Sequence, residues 1–251
     1  MKARLFTDRG GERERNEDAV LCGGLVAREV MEEPYSVDLP EGGFLAAVAD
    51  GMGGGPGGAA AAAAVVRNLA AAETPEDWGG APEMVSGVLA RTAEEFVRLA
   101  SENPELSEMG TAVAGLWVRG DRALAFNCGD CRVYRIRHGY FDLLTKDHSL
   151  VYELYASGVI DEEDMAAHRL KHILTSSVQD CPEPPRVFFR EVSVLDTDSY
   201  FICSDGVWEA VTRAEMELVA ASGGPEEAAA VMARALKARS CRDNTSFLWL
   251  Y

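Results

Sequence analysis

Positive charge is what this sequence is shortest of. Its 251 residues carry 24 lysines and arginines against 41 aspartates and glutamates, a formal net charge of −17. That balance argues against a partner held through a nucleic-acid backbone. No apolar run approaches the length of a membrane span, and the opening, Met1 to Asp8, has no signal-peptide core. A cytoplasmic protein without a membrane span is the expectation. The six cysteines (Cys22, Cys128, Cys131, Cys181, Cys203, Cys241) are dispersed, unlike those of a small disulfide scaffold. Cys128-Gly-Asp-Cys131 has redox or zinc spacing, but no second C-x-x-C accompanies it and Cys128 ends an expected strand, so these read as buried reduced thiols. Internal repeats, low-complexity linkers and composition shifts are also missing. With 47% hydrophobic residues to fill a core, one domain over residues 1–251 is expected.

What is present is organised around Leu45-Ala-Ala-Val-Ala-Asp50-Gly51-Met52-Gly53-Gly54-Gly55-Pro56-Gly57-Gly58. An apolar run, a glycine burst and an alanine-rich pattern predict strand, tight turn and helix. The strand carries Asp50 to its tip, where a carboxylate and the bare carbonyl of Gly51 suit a hard cation such as Mg²⁺ or Mn²⁺. A nucleotide loop is disfavoured, because no Lys-Ser/Thr follows and the G-x-G-x-x-G order is absent.

Helices are expected over Ala59 to Ala72, Glu83 to Ser101, Ala214 to Ala221 and Pro225 to Arg239. Strands are expected over Ala19 to Cys22, Thr111 to Val118, Ala123 to Cys128, Arg132 to Arg137, Arg186 to Leu195, Ser199 to Cys203 and Ser246 to Tyr251. Glu29 to Gly43 reads as hairpin or loop, and Glu73 to Pro82 as loop. A polar, discontinuous region around 149–180, with short helices over Leu150 to Ser157 and Asp161 to Ala167, reads as a flap. His168 and His172, four apart, read as a surface helical face, and His148 as a structural hydrogen-bonding residue.

Glu17/Asp18, Asp50, Asp130, Asp205 and Asp243 each fall at a strand end or a glycine turn. Any one of them is equally a turn signal. If all converge, their repulsion calls for divalent cations, and oxygen ligands without paired His or Cys favour Mg²⁺ or Mn²⁺ over Zn²⁺.

Seven segments carry a family resemblance: Asp8-x-Gly10-x-x-Arg13-x-x-Asn16-Glu17-Asp18, Ala49-Asp50-Gly51-Met52-Gly53-Gly54, Met109-Gly110-Thr111-Ala112, Gly129-Asp130-Cys131-Arg132, Leu144-Thr145-Lys146-Asp147-His148-Ser149, Cys203-Ser204-Asp205-Gly206 and Asp243-Asn244-Thr245-Ser246. In this order they resemble the metal-dependent serine/threonine protein phosphatases, the type 2C family, in its compact bacterial form. The resemblance implies an α+β fold, a four-layer α-β-β-α sandwich of two antiparallel sheets flanked by helices. It implies two core Mn²⁺ or Mg²⁺ ions and a third, weaker one. Asp50 would bridge the core pair, Gly51, Asp205 and Asp243 would complete the first site, and Glu17 would serve the second. Asp130 with Asp205 would form the third site, Asp18 and Asn244 would support metal-bound water, and Arg13 would grip the substrate phosphate. Catalysis would run through Arg13, Asp50 and Asp205, by a bridging hydroxide attacking the phosphorus of phosphoserine or phosphothreonine. The implied partners are phosphorylated proteins, substrates of a cognate serine/threonine kinase.

Neither Cys203 nor Cys128 lies in the Cys-x5-Arg arrangement of a covalent tyrosine-phosphatase mechanism. Met52 stands where some relatives carry a histidine read as general acid, Cys131 replaces a usual serine, and Gln179 a usual glycine. Two alternatives to the phosphatase reading are a binding or regulatory pseudophosphatase and a metal-dependent hydrolase of another phosphate ester.

Overall fold

The computed structural model describes residues 1–53, 56–73, 75, 77–165, 168–181 and 183–251. Gly54 and Gly55 of the expected glycine turn, Thr74 and Glu76 of the expected loop, and Ala166 and Ala167 of the expected acidic helix lie outside the described residues. In chain order the elements are β1 (Lys2–Asp8), β2 (Ala19–Cys22), β3 (Leu25–Ala27), β4 (Tyr35–Asp38), β5 (Phe44–Met52), α1 (Pro56–Ala70), α2 (Ala81–Glu102), β6 (Gly110–Arg119), β7 (Arg122–Cys128), β8 (Arg132–Arg137) and β9 (Tyr140–Leu143). They continue with α3 (Leu150–Ala156), α4 (Glu162–Met165), β10 (Val178–Gln179), β11 (Phe188–Ser193), β12 (Ser199–Cys203), α5 (Asp205–Ala210), α6 (Arg213–Ala221), α7 (Pro225–Arg239) and β13 (Thr245–Leu250). No described helix is long and apolar enough to cross a membrane.

Among the described residues the strands form two antiparallel sheets. One has the order β4-β1-β13-β12-β8-β9, the other β11-β7-β6-β5-β2-β3 with β10 added beside β6. Both sheets are covered on both faces, so their central strands are apolar on alternate sides rather than on one. Along β13, Leu248 and Leu250 enter the core between the sheets while Phe247 and Trp249 face the α5–α7 side. Along β5, Ala46 and Val48 point between the sheets and Ala47 and Ala49 point at α1 and α2. The result is four layers: α1 and α2, the β5 sheet, the β13 sheet, then α6 and α7. The expected α+β sandwich is the observed one.

The alanine-rich face of α1 lets its backbone lie close on β5. Contact is tightest at Gly51, where an added Cβ would stand 2.3 Å from the Gly58 carbonyl oxygen. Only a bare Cα permits that approach, and it sets where Asp50 emerges.

Several local expectations are corrected. Residues 169–172 form a turn, so His168 and His172 share no helix. Part of the 29–43 stretch is a strand, β4, which crosses to the opposite sheet and pairs with β1. Asp205 opens a helix of its own, α5, where only an Asp-Gly turn was expected.

Candidate metal centre

The named acids come from five separate chain segments, and local chemistry explains each placement. Glu17 and Asp18 precede β2. The amide of Glu17 donates to Asn244 Oδ1 at 2.8 Å, while Asn244 Nδ2 donates to the carbonyls of Arg9 (2.8 Å) and Arg15 (2.9 Å). Asn244 therefore ties the 9–17 loop to the start of β13. Asp50 lies near the end of β5, its carbonyl accepting from the Thr111 hydroxyl at 2.7 Å across the β5–β6 pair. Asp130 follows Gly129, whose φ of +109° turns the chain between β7 and β8. Asp205 begins α5, and Asp243 precedes β13.

The loop between β9 and α3 fixes the Asp130 turn from behind. Asn127 Nδ2 donates to the carbonyls of Gly129 and Lys146, and His148 Nδ1 accepts from the amide of Gly129 at 3.2 Å. Burial lowers the pKa of His148, aided by the charge of Arg186, which keeps the imidazole in the neutral form that can accept. The structural role expected for His148 is the one seen.

Arg13, Glu17, Asp50, Gly51, Asp130, Asp205 and Asp243 all line one cleft of about 180 Å³ at an end of the sandwich. Asp18 and Asn244 are buried behind it. Asp18 Oδ2 accepts from the Ser204 hydroxyl at 2.9 Å, and Ser204 Oγ in turn accepts from the Ser246 amide at 3.0 Å.

Crowding shows in the electrostatics. Asp50 and Asp205 stand within hydrogen-bonding reach of each other. Burial pushes Asp50 well above the carboxylate range, and the charge of Asp205 adds to it. Asp130 is raised in the same way, by burial and then by Asp205. Burial lifts Asp205 to about 6 and Asp18 to about 7. Asp18 Oδ1 and Asp205 Oδ1 are buried without a hydrogen-bond partner among the described residues. Acidic oxygens without enough counter-charge, two of them orphaned, fit a hard divalent cation. Arg13 supplies the local positive charge, donating from Nη2 to Asp243 Oδ2 at 2.6 Å, with 45% of its side chain exposed.

The sequence reading missed some of the cleft's wall. His172 and Leu174, between α4 and β10, line it. A ring nitrogen of His172 lies within 4.8 Å of carboxylate oxygens of Asp205 and Glu209, and Lys171 Nζ reaches Glu209 at 2.7 Å. The signal available was the spacing of Asp205 and Glu209, four apart and so on one face once α5 is helical.

The profile of the protein phosphatase 2C family matches residues 33–239. The chain belongs to that family. It is 31% identical over 227 residues to a serine/threonine phosphatase Stp of Listeria innocua, covering 86% of this chain and 82% of that one. The structure of the S. agalactiae serine/threonine phosphatase superposes with a TM-score of 0.84 at 25% identity, covering 100% of this chain and 99% of that one. The catalytic domain of the serine/threonine phosphatase PstP, solved with two manganese ions, shares the fold: TM-score 0.79, 23% identity, 99% of this chain and 98% of that one. Within this protein phosphatase 2C member, the family's profile spans β5 with Asp50, the Asp130 turn and α5 with Asp205.

Proposed function

We propose that this family member is a Mn²⁺- or Mg²⁺-dependent phosphatase of phosphoserine and phosphothreonine in proteins, acting in the cytoplasm against a serine/threonine kinase. One observation carries the reading: acids from five segments share one cleft with an exposed arginine on its rim. The Listeria innocua relative and the manganese-bound PstP domain support it. Residues 1–251 act as one catalytic domain, with 149–180 as its flap.

Asp50, Gly51, Asp205 and Asp243 would hold one core cation, Asp50 and Glu17 the other, and Asp130 with Asp205 a third. When bound, the cations supply a nucleophilic hydroxide near neutral pH and neutralise charge at phosphorus. Everything else falls to the chain. Arg13, held at the rim by Asp243, presents a planar fork that clasps two phosphoryl oxygens and orients the ester for in-line displacement. Thr111 fixes the Asp50 carbonyl, Asn244 fixes the amide of Glu17, and Ser204 takes one oxygen of Asp18, so the donors are set before substrate arrives.

The deciding experiment measures phosphate release from a phosphothreonine peptide with Mn²⁺, with EDTA, and with Asp205→Asn. Turnover that requires Mn²⁺ and collapses in the variant is expected. A folded protein that takes up Mn²⁺ but leaves phosphopeptides intact would overturn the reading.

A further inference from the structure

Asp130 and Asp205 lie on different supports, a glycine turn and the first residue of a short helix, yet both line the same cleft. One side chain bridges the two. Trp208, three residues along α5 from Asp205, donates its indole N–H to the backbone carbonyl of Asp130 at 3.0 Å.

The indole is itself held. The Arg132 guanidinium lies over its ring, 3.8 Å from the centroid, a cation–π contact strengthened by burial. The same guanidinium grips Asp147 through Nε (3.1 Å) and Nη2 (2.6 Å), and Asp147 is 2% exposed. Its Nη1 donates to the Tyr134 hydroxyl at 3.2 Å. From Asp147 through Arg132 and Trp208 to Asp130, every link is a directed contact with little freedom to slide.

Building on the phosphatase reading above, we infer that Trp208 is a positioning residue: its N–H sets the separation of Asp130 from Asp205 and thereby the cation affinity of that pair. The bond acts on the turn's backbone rather than on a ligand atom. It therefore tunes the weaker, Asp130-side cation and leaves the core pair at Asp50 and Asp243 alone.

Trp208→Phe tests this, because it keeps an aromatic ring for Arg132 while removing the N–H together with the smaller ring that carries it. The full chain is titrated with Mn²⁺ by calorimetry, and phosphate release is followed against Mn²⁺ concentration. Met216→Leu, in the same groove wall, serves as a packing control. Expected in Trp208→Phe is an approximately tenfold weaker second Mn²⁺ phase, as for other residues that orient metal ligands. The first Mn²⁺ phase and turnover at saturating Mn²⁺ stay at the parent values, and Met216→Leu follows the parent throughout. Superimposable isotherms would overturn the inference. So would turnover lowered equally at every Mn²⁺ concentration with binding unchanged, the signature of a merely structural role. A parent protein that neither takes up Mn²⁺ nor releases phosphate would sink the phosphatase reading itself, and this inference with it.

Discussion

The two ends of strand β8 treat aspartate in opposite ways. At its last residue Arg137 holds Asp198 in a two-pronged pair, Nε to Oδ1 at 2.7 Å and Nη2 to Oδ2 at 2.8 Å, and the Leu195 amide adds a third bond at 3.1 Å. That guanidinium keeps Asp198 below the usual carboxylate range. At the other end, just before Arg132, Asp130 faces Asp205 and is pushed the other way. Arg132 is close by but turned to Asp147. The fold thus has arginines that neutralise buried acids, and it turns Arg132, beside the Asp130 turn, to its scaffold while Arg13 alone lines the cleft among the described arginines. At the far end Asp198 is paired and stabilises the protein, whereas Asp50, Asp130 and Asp205 crowd one another in the cleft.

Asp205→Asn breaks that contrast most sharply. Phosphate release should fall at least about a hundredfold, since even residues that only orient ligands are worth 10–100-fold. The metal-free protein should instead melt higher, by ~2–4 °C for each kcal/mol of repulsion removed. A lower melting temperature would show that the carboxylate crowding carries no strain.

Next in size is the cation itself. Mn²⁺ at a hundredfold excess over its dissociation constant should add about 2.7 kcal/mol, roughly 5–10 °C by scanning calorimetry, and EDTA should reverse it. Asp198→Asn sharpens the comparison from the far end. Breaking its charged hydrogen bonds to Arg137, which is partly open to water, should cost about 2–3 kcal/mol in urea unfolding and leave the Mn²⁺ increment untouched. Loss of that increment would mean the two ends are coupled.

The two ends also differ in the sign of their pH dependence. Cleft carboxyls of the metal-free protein have folded pKa values raised above the unfolded ~4, with Asp205 at about 6 and Asp18 at about 7. The folded state therefore binds more protons, and that stability is lost as pH rises from about 4 through 7. Asp198, with a lowered value, works in reverse: its contribution is present above the unfolded value and lost as acid protonates the folded form. Metal-free protein should melt lower at pH 8 than at pH 5, and Mn²⁺ should abolish the trend. A melting temperature that climbs with pH in EDTA would contradict the crowding.

How far the sequence exposed this design depends on how local the signals are. Asp50, Asp130 and Asp243 were legible because glycine turns and strand ends are written in adjacent residues. Strand boundaries such as Ser199–Cys203 and the helix Pro225–Arg239 were legible for the same reason. Strand β1 was not expected, because Lys2-Ala-Arg-Leu-Phe-Thr-Asp8 mixes charge into a short run and becomes a strand only by pairing with β13 at the far end of the chain. β3, β9 and β10 are two to four residues long and likewise exist through their neighbours. His172 misled because its i,i+4 partner His168 suggested a helix, whereas a turn brings it to the cleft beside Asp205. Asn244 has a part beyond the one expected of it: its amide is bonded to three backbone groups from residues 9 to 17, which no motif could reveal.

Carboxylate crowding at the mouth has one further effect, on traffic rather than on chemistry. A phosphate monoester approaching the bare cleft meets the field of a protein already at −17, which disfavours an anion there. Once cations are seated the same opening attracts it. If cations sit there as proposed, ion supply and substrate entry become a single decision, made at the door, and scarcity of the ion would close the cleft to phosphoproteins without any part of the chain having to move.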